Sequence, residues 1–152
     1  MADRSTSFMT MALSEAEHAA RRGEVPVGAV VVGSDGSEVL ARAGNRVEAL
    51  NDPTAHAELL AIRKAAAALG EPRLEGCDLY VTLEPCAMCA AAISFARIRR
   101  LYYGAYDPKG GAVDHGARFF QLATCHHAPE VYGGFEERRA AELLRAFFEA
   151  RR

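Results

Sequence analysis

"TLEPCAMC" spans residues 82–89 and sets a proline directly ahead of two cysteines three positions apart. Read alone, Cys86 and Cys89 fit a thiol redox switch, half of a structural zinc site or half of a catalytic one. The residues just before them, "CDLYVTL" (77–83), are rich in β-branched and aromatic types and predict a strand. Those that follow, "PCAMCAAAISFAR" (85–97), put Pro85 at the first helical position and continue in small apolar residues, which predicts a helix. The cysteines therefore belong to a strand-to-helix junction.

Working outward, "RIRRLYYGA" (97–105) predicts another strand, "DPKGGAVDHG" (107–116) a loop, and residues 117–134 nothing clearer than a short strand around "EVYGG". "FEERRAAELLRAFFEARR" (135–152) predicts a terminal helix. Upstream, Phe8, Met11, Ala12, Ala16 and Ala19 recur at helical spacing within 7–21. "VPVGAVVV" (25–32) is a continuous β-branched run ending at "GSDG" and followed by "EVLARAG". It predicts a hairpin whose first strand is buried on both faces. "NDPTAHAELLAIRKAAAALG" (51–70) opens with Asp, Pro and Thr, which suit a helix start, and closes on Gly70. Helices alternating with strands predict a mixed, partly parallel sheet with helices on both faces.

Bulk properties narrow the function. A chain of 152 residues predicts one domain with a sizeable core, and half hydrophobic with a quarter charged residues is an ordinary globular composition. The N-terminal residues hold no long apolar run, so neither a secretory signal nor a membrane span is expected. A net charge of −2 excludes strong indiscriminate attraction to nucleic acid while leaving room for a local basic patch. A cytoplasmic location is expected. There the four cysteines stay reduced, which favours metal binding or catalysis over disulfides.

A partner for the two thiols stands in Thr54-Ala55-His56-Ala57-Glu58. Two thiolates and one imidazole make a three-ligand zinc site with an open fourth position, and Glu58 adds a carboxylate beside it. Residues two apart on a helix point about 200° apart. His56 and Glu58 can therefore share one site only off the start of their helix, as Cys86 and Cys89 do at the start of theirs. Helix N-termini favour negative charge and lower thiol pKa values. Such a centre activates water at neutral pH, and Glu58 is placed to move the proton. Glu84 is the rival base.

"HAE" (56–58) with "PCAMC" (85–89) resembles the H-x-E…P-C-x-x-C pattern of the zinc-dependent nucleobase and nucleoside deaminases. "EVPVGAVVV", "GNR", "NDPTAHAE", "LYVTLEPCAMCAAAI" and "ARIRRLYYGAYDPKGGA" together resemble the bacterial tRNA-specific adenosine deaminase branch. The resemblance implies a three-layer α/β/α cytidine-deaminase-like fold around a five-stranded mixed sheet, occupying 1–152 as a single domain. It implies one Zn2+ per chain on His56, Cys86 and Cys89, with Glu58 catalytic. It further implies a homodimer that deaminates the wobble adenosine in a tRNA anticodon stem-loop. By the same resemblance Asn45 binds the base and Asp107 lies near the target ribose. Phe147, Phe148, Tyr106 and Phe119–Phe120 would flank the pocket, and Lys109, Arg151 and Arg152 would meet phosphates.

Two other readings compete: a deaminase of a free base or nucleoside such as guanine or cytosine, and a non-catalytic zinc-binding RNA module. Glu58 counts against the last, since a purely structural site needs no carboxylate at an open position. "CHHAP" (125–129) suggests a second metal, but adjacent side chains rarely converge on one tetrahedral ion, so a loop is expected there. Cys77 and Cys125 are expected as free thiols, and His18 and His115 as surface residues.

Overall fold

The computed structural model describes residues 4–151. Five strands, β1 (Gly28–Val32), β2 (Val39–Gly44), β3 (Asp78–Leu83), β4 (Arg100–Ala105) and β5 (Glu130–Gly133), form one sheet in the order β2-β1-β3-β4-β5. β1 pairs antiparallel with β2 and β3, whereas β3–β4 and β4–β5 are parallel. The mixed sheet expected from the sequence is thus present, and its parallel half carries the cysteine junction at the end of β3.

Alternation along the central strands sorts side chains into two cores. Ala29, Val31, Leu79, Val81, Leu101 and Tyr103 face one side. There they pack with Ala57, Ala61 and Ala65 of α3 (Ala57–Leu69) and with Ile93 of α4 (Ala87–Phe95). Val30, Val32, Tyr80 and Ala105 face the other side. They pack with Phe8, Met9, Ala12 and Leu13 of α1 (Arg4–Arg21) and with Ala140 of α5 (Glu137–Glu149). Covered on both faces, β1 is buried at all five positions, as its unbroken β-branched run predicts. α1 lies so close to this strand that a Cβ at Gly28 would sit 1.9 Å from the Ala12 carbonyl oxygen.

Helix boundaries differ from expectation at the two places that matter for the site. Asp52-Pro53-Thr54 does not start α3. The Asp52 carboxylate accepts from the Thr54 N–H at 2.8 Å and hydroxyl at 2.7 Å, closing a turn that ends before the helix. A one-turn helix, α2 (Val47–Leu50), which sequence periodicity was too short to reveal, precedes that turn. Likewise Pro85 stands outside α4, whose N-cap is Cys86. α3 stops where expected, at Gly70 in the left-handed conformation (φ 67°). The segment 117–134 resolves into a 3-10 turn at Phe119–Gln121 and the short strand β5.

Candidate active site

Two helix starts meet where β2 and β3 end, beside the start of β1. His56 is the N-cap of α3 (φ −76°, ψ 150°) and Cys86 that of α4 (φ −74°, ψ 176°); both have extended backbones, and neither side chain caps its own helix. Released from the helical direction, the imidazole turns toward the thiols. Nδ1 of His56 lies 3.7 Å from Sγ of Cys86 and 3.6 Å from Sγ of Cys89. Tetrahedral zinc with ordinary Zn–S and Zn–N bonds separates such a nitrogen and sulfur by about 3.6 Å. All three donor atoms lie within 4.8 Å of one another, and they are the one His/Cys/Asp/Glu group that does so among the described residues.

The charges agree with a cation. Hydrogen bonding from Cys89 holds the Cys86 thiol down to about 4, against burial and with help from His56. The resulting thiolate, together with burial, pushes Cys89 well up. One proton leaves readily and the second is held by the first charge, an arrangement that a divalent ion between the sulfurs relieves. The donor set and its spacing therefore fit zinc.

Glu58 occupies the first turn of α3 and is 4% exposed. Burial pushes its carboxyl up to about 7, where it can both take and give a proton. Asn45, at the end of β2, compensates for the uncapped helix: its Oδ1 accepts from the Ala57 N–H at 2.8 Å. This fixes the amide beside His56 and leaves its NH2 without a protein partner among the described residues.

These groups line a cleft of about 490 Å³. Beside Asn45, His56, Glu58 and Cys86 its lining includes Val25, Val27, Asp107, Gly110, Phe147 and Arg151. A space of this size takes a nucleobase with its sugar.

A family model of the cytidine and deoxycytidylate deaminase zinc-binding region matches residues 2–105. The chain belongs to that family. This deaminase is 65% identical over all of its length, and 98% of the relative's, to a tRNA-specific adenosine deaminase of Agrobacterium fabrum. It is 44% identical over 93% of its length, and 97% of the relative's, to a tRNA-specific adenosine deaminase of Rickettsia bellii. Among solved structures it superposes with TM-score 0.89 and 66% identity on one from a study of A-to-I editing by tRNA:A34 deaminases, covering 91% of this chain and 99% of that one.

The remaining expected site residues divide. Asp107, Phe147 and Arg151 reach the cleft, the Arg151 guanidinium lying 3.5 Å above the Phe147 ring. Phe148 and Tyr106 border an adjoining cleft with Leu83 and Leu144. Lys109 is exposed and outside the lining of either, and Arg152 lies outside the described residues. Phe119 and Phe120 do not flank the pocket. Their 3-10 turn packs on α4, with Phe120 against the core.

Glu84 is no rival base. Both of its oxygens are taken: Oε1 accepts from the Asp107 N–H and His115 Nδ1, and Oε2 from the N–H groups of Val113, Asp114 and His115. Burial alone would raise its pKa. The Asp107 N–H, the His115 ring and the Asp114 and Val113 N–H groups outweigh it and hold the carboxyl below its ordinary value. His115 is accordingly a half-buried partner of Glu84, not a free surface residue. His18 is exposed, and Cys77 and Cys125 are free thiols. "CHHAP" forms a loop: the Cys125 thiol donates to the His127 carbonyl, and His127 Nε2 to the Ile98 carbonyl at 2.7 Å.

Removing either kind of metal donor should abolish the centre. His56→Ala and Cys89→Ala are expected to lose bound zinc and to melt at lower temperature, because metal binding is coupled to folding. Elemental analysis with thermal denaturation checks this; a full zinc complement in both variants would exclude these ligands.

Proposed function

We propose that this chain hydrolyses the exocyclic amine of the wobble adenosine in a tRNA anticodon loop, leaving inosine. The catalytic half of this reading rests on a buried Glu58 beside the His56–Cys86–Cys89 trio in one cleft. The substrate half rests on one observation: full-length 65% identity to a tRNA-specific adenosine deaminase.

In this reading 1–152 is one deaminase domain holding one zinc through His56, Cys86 and Cys89. When bound, the zinc supplies the Lewis acidity that makes water nucleophilic at neutral pH. Glu58 takes a proton from the attacking water and delivers it to the departing amine, so that oxygen replaces nitrogen at C6 and ammonia leaves. Asn45, anchored through Oδ1, holds the base by its free NH2. Asp107 faces the ribose. Phe147, stiffened by Arg151, and Phe148 stack on bases of the loop, while Arg151, Lys109 and Arg152 meet phosphates. Stacking of this kind contributes about 1–3 kcal/mol per base, enough to offset extrusion of the target.

Two copies associate, in this proposal, through the exposed side of α4. Phe95 there is 74% exposed and would be covered in a dimer. Among the described residues no helix is long and apolar enough to cross a membrane, and a cytoplasmic location fits a tRNA substrate.

Glu58→Ala should keep its zinc and its fold while kcat on an anticodon stem-loop falls by roughly 10²–10⁴. Activity within tenfold of the parent would require another proton carrier. Deleting residues 147–152 should cripple stem-loop deamination, and binding by the intact chain should weaken steeply between low and moderate salt. Brisk turnover of free guanine or cytosine with no inosine formed in tRNA would replace this reading with that of a free-base deaminase. Light scattering at micromolar concentration should return the mass of two chains; a monomer mass removes the dimer.

A further inference from the structure

The segment 107–115 brings Asp107 and Gly110 to the cleft, yet it has no regular secondary structure of its own. A loop with an irregular course needs something to hold it. Here the holding group is a single side chain. The Glu84 carboxylate accepts five hydrogen bonds from this segment, three on Oε2 at 2.9–3.2 Å and two on Oε1 at 2.8 and 3.0 Å. Its side chain is entirely buried. Two further ties close the same loop: the Ala112 N–H donates to the Pro85 carbonyl at 2.9 Å, and the Tyr103 hydroxyl to Asp114. Gly111 passes so near that a Cβ there would lie 2.5 Å from the Glu84 carboxyl carbon.

Glu84 also immediately precedes Pro85 and Cys86. The chain that presents a thiol to the metal centre thus presents, two residues earlier, the anion around which residues 107–115 are wrapped. The Asp107 carboxylate is itself ordered by its own turn, since Oδ1 accepts from the N–H groups of Lys109 and Gly110. Its position therefore depends on where the Asp107 backbone is held, and Glu84 Oε1 holds that N–H at 3.0 Å.

We infer that Glu84 is a positioning residue for substrate: its carboxylate sets residues 107–115 against the cleft, and removing the charge weakens tRNA binding while leaving the metal centre and the proton transfer intact. The inference rests on the tRNA reading above.

Glu84→Gln separates the two sides of the carboxylate. With its oxygen at the Oε2 position, glutamine keeps the bonds from Val113, Asp114 and His115. It then turns an NH2 toward the Asp107 N–H, donor against donor, and that anchor is lost. The expected result is an unchanged zinc content per chain, a kcat within about threefold of the parent, and a KM for an anticodon stem-loop at least about tenfold higher. The dissociation constant of a fluorescent stem-loop should rise in parallel. Gly111→Ala displaces the same loop by steric contact while keeping the carboxylate charged, and should raise KM in the same direction. If Glu84→Gln proves insoluble, Gly111→Ala decides, and a parental KM there overturns the inference.

A Glu84→Gln enzyme whose kcat collapses at unchanged KM, or whose two constants are both parental, also overturns it. Failure of the parent chain itself to deaminate the stem-loop would remove the tRNA reading and this inference together. A fully active parent with an unaffected Glu84→Gln removes the inference alone.

Discussion

Both metal-facing helices give up a normal N-cap. An N-cap position is ordinarily filled by a short polar side chain that accepts one of the orphan N–H groups of the first turn. In α3 and α4 it is filled instead by His56 and Cys86, whose side chains turn away to a common point. The exchange has a physical logic. The Cys86 thiolate is negative, and two converging helix N-termini supply partial positive charge that steadies it before any metal arrives. The cost is unsatisfied backbone in a buried place, and the neighbouring strands supply the remedy. Asn45 at the end of β2 reaches across to the first N–H of α3, a bond worth about 0.5–1.5 kcal/mol net but costly to leave unmade in the interior.

The sheet makes this convergence possible. β1 runs antiparallel to both its neighbours, so the chain leaving β2 toward α3 and the chain leaving β3 toward α4 emerge at the same end of the sheet, beside the start of β1. α3 and α4 both cover one face, where Ala57, Ala61 and Ala65 allow close approach to the strands. Small side chains on α3 thus bring its first residue to the metal centre, and β3 carries Cys86 to the same place from the other side. α5, packed on the opposite core, brings Phe147 to the cleft, and Arg151 follows just beyond its end.

Much of this was legible because the signals were local. The valines of β1, the run 78–83, the glycine ending α3, and the pairs His56–Glu58 and Cys86–Cys89 each lie within a short window; the resemblance to a known pattern is what joined the two pairs, 30 residues apart. What was missed depends on contacts distant in sequence. α2 is one turn long, and the Glu24 carboxylate that takes two of its N–H groups lies 24 and 25 residues away. His115 reads as a surface residue until the loop folds onto Glu84, 31 residues earlier. Phe119 and Phe120 follow the loop that lines the cleft, but the 3-10 turn directs them onto α4. Pro85 fits a first helical position equally well by sequence. Only the extended backbone of Cys86, required for its thiol to leave the helix direction, puts the proline outside.

Two buried glutamates, 26 positions apart, show how surroundings divide one side-chain type between two tasks. Glu84 is 2% exposed and Glu58 4% exposed, so water screens neither. Around Glu84 five donors converge, and the carboxyl is held ionised below its ordinary range. Around Glu58 the hydrogen bonds come from its own backbone N–H and the Cys89 thiol. Burial dominates and lifts it to about 7, with the nearby Cys86 thiolate adding to the rise and His56 opposing it. A group saturated with donors can organise a wall but cannot exchange protons, because each lone pair is already committed. A group with fewer donors, its pKa lifted by burial to about 7, is poised to accept a proton and release it again.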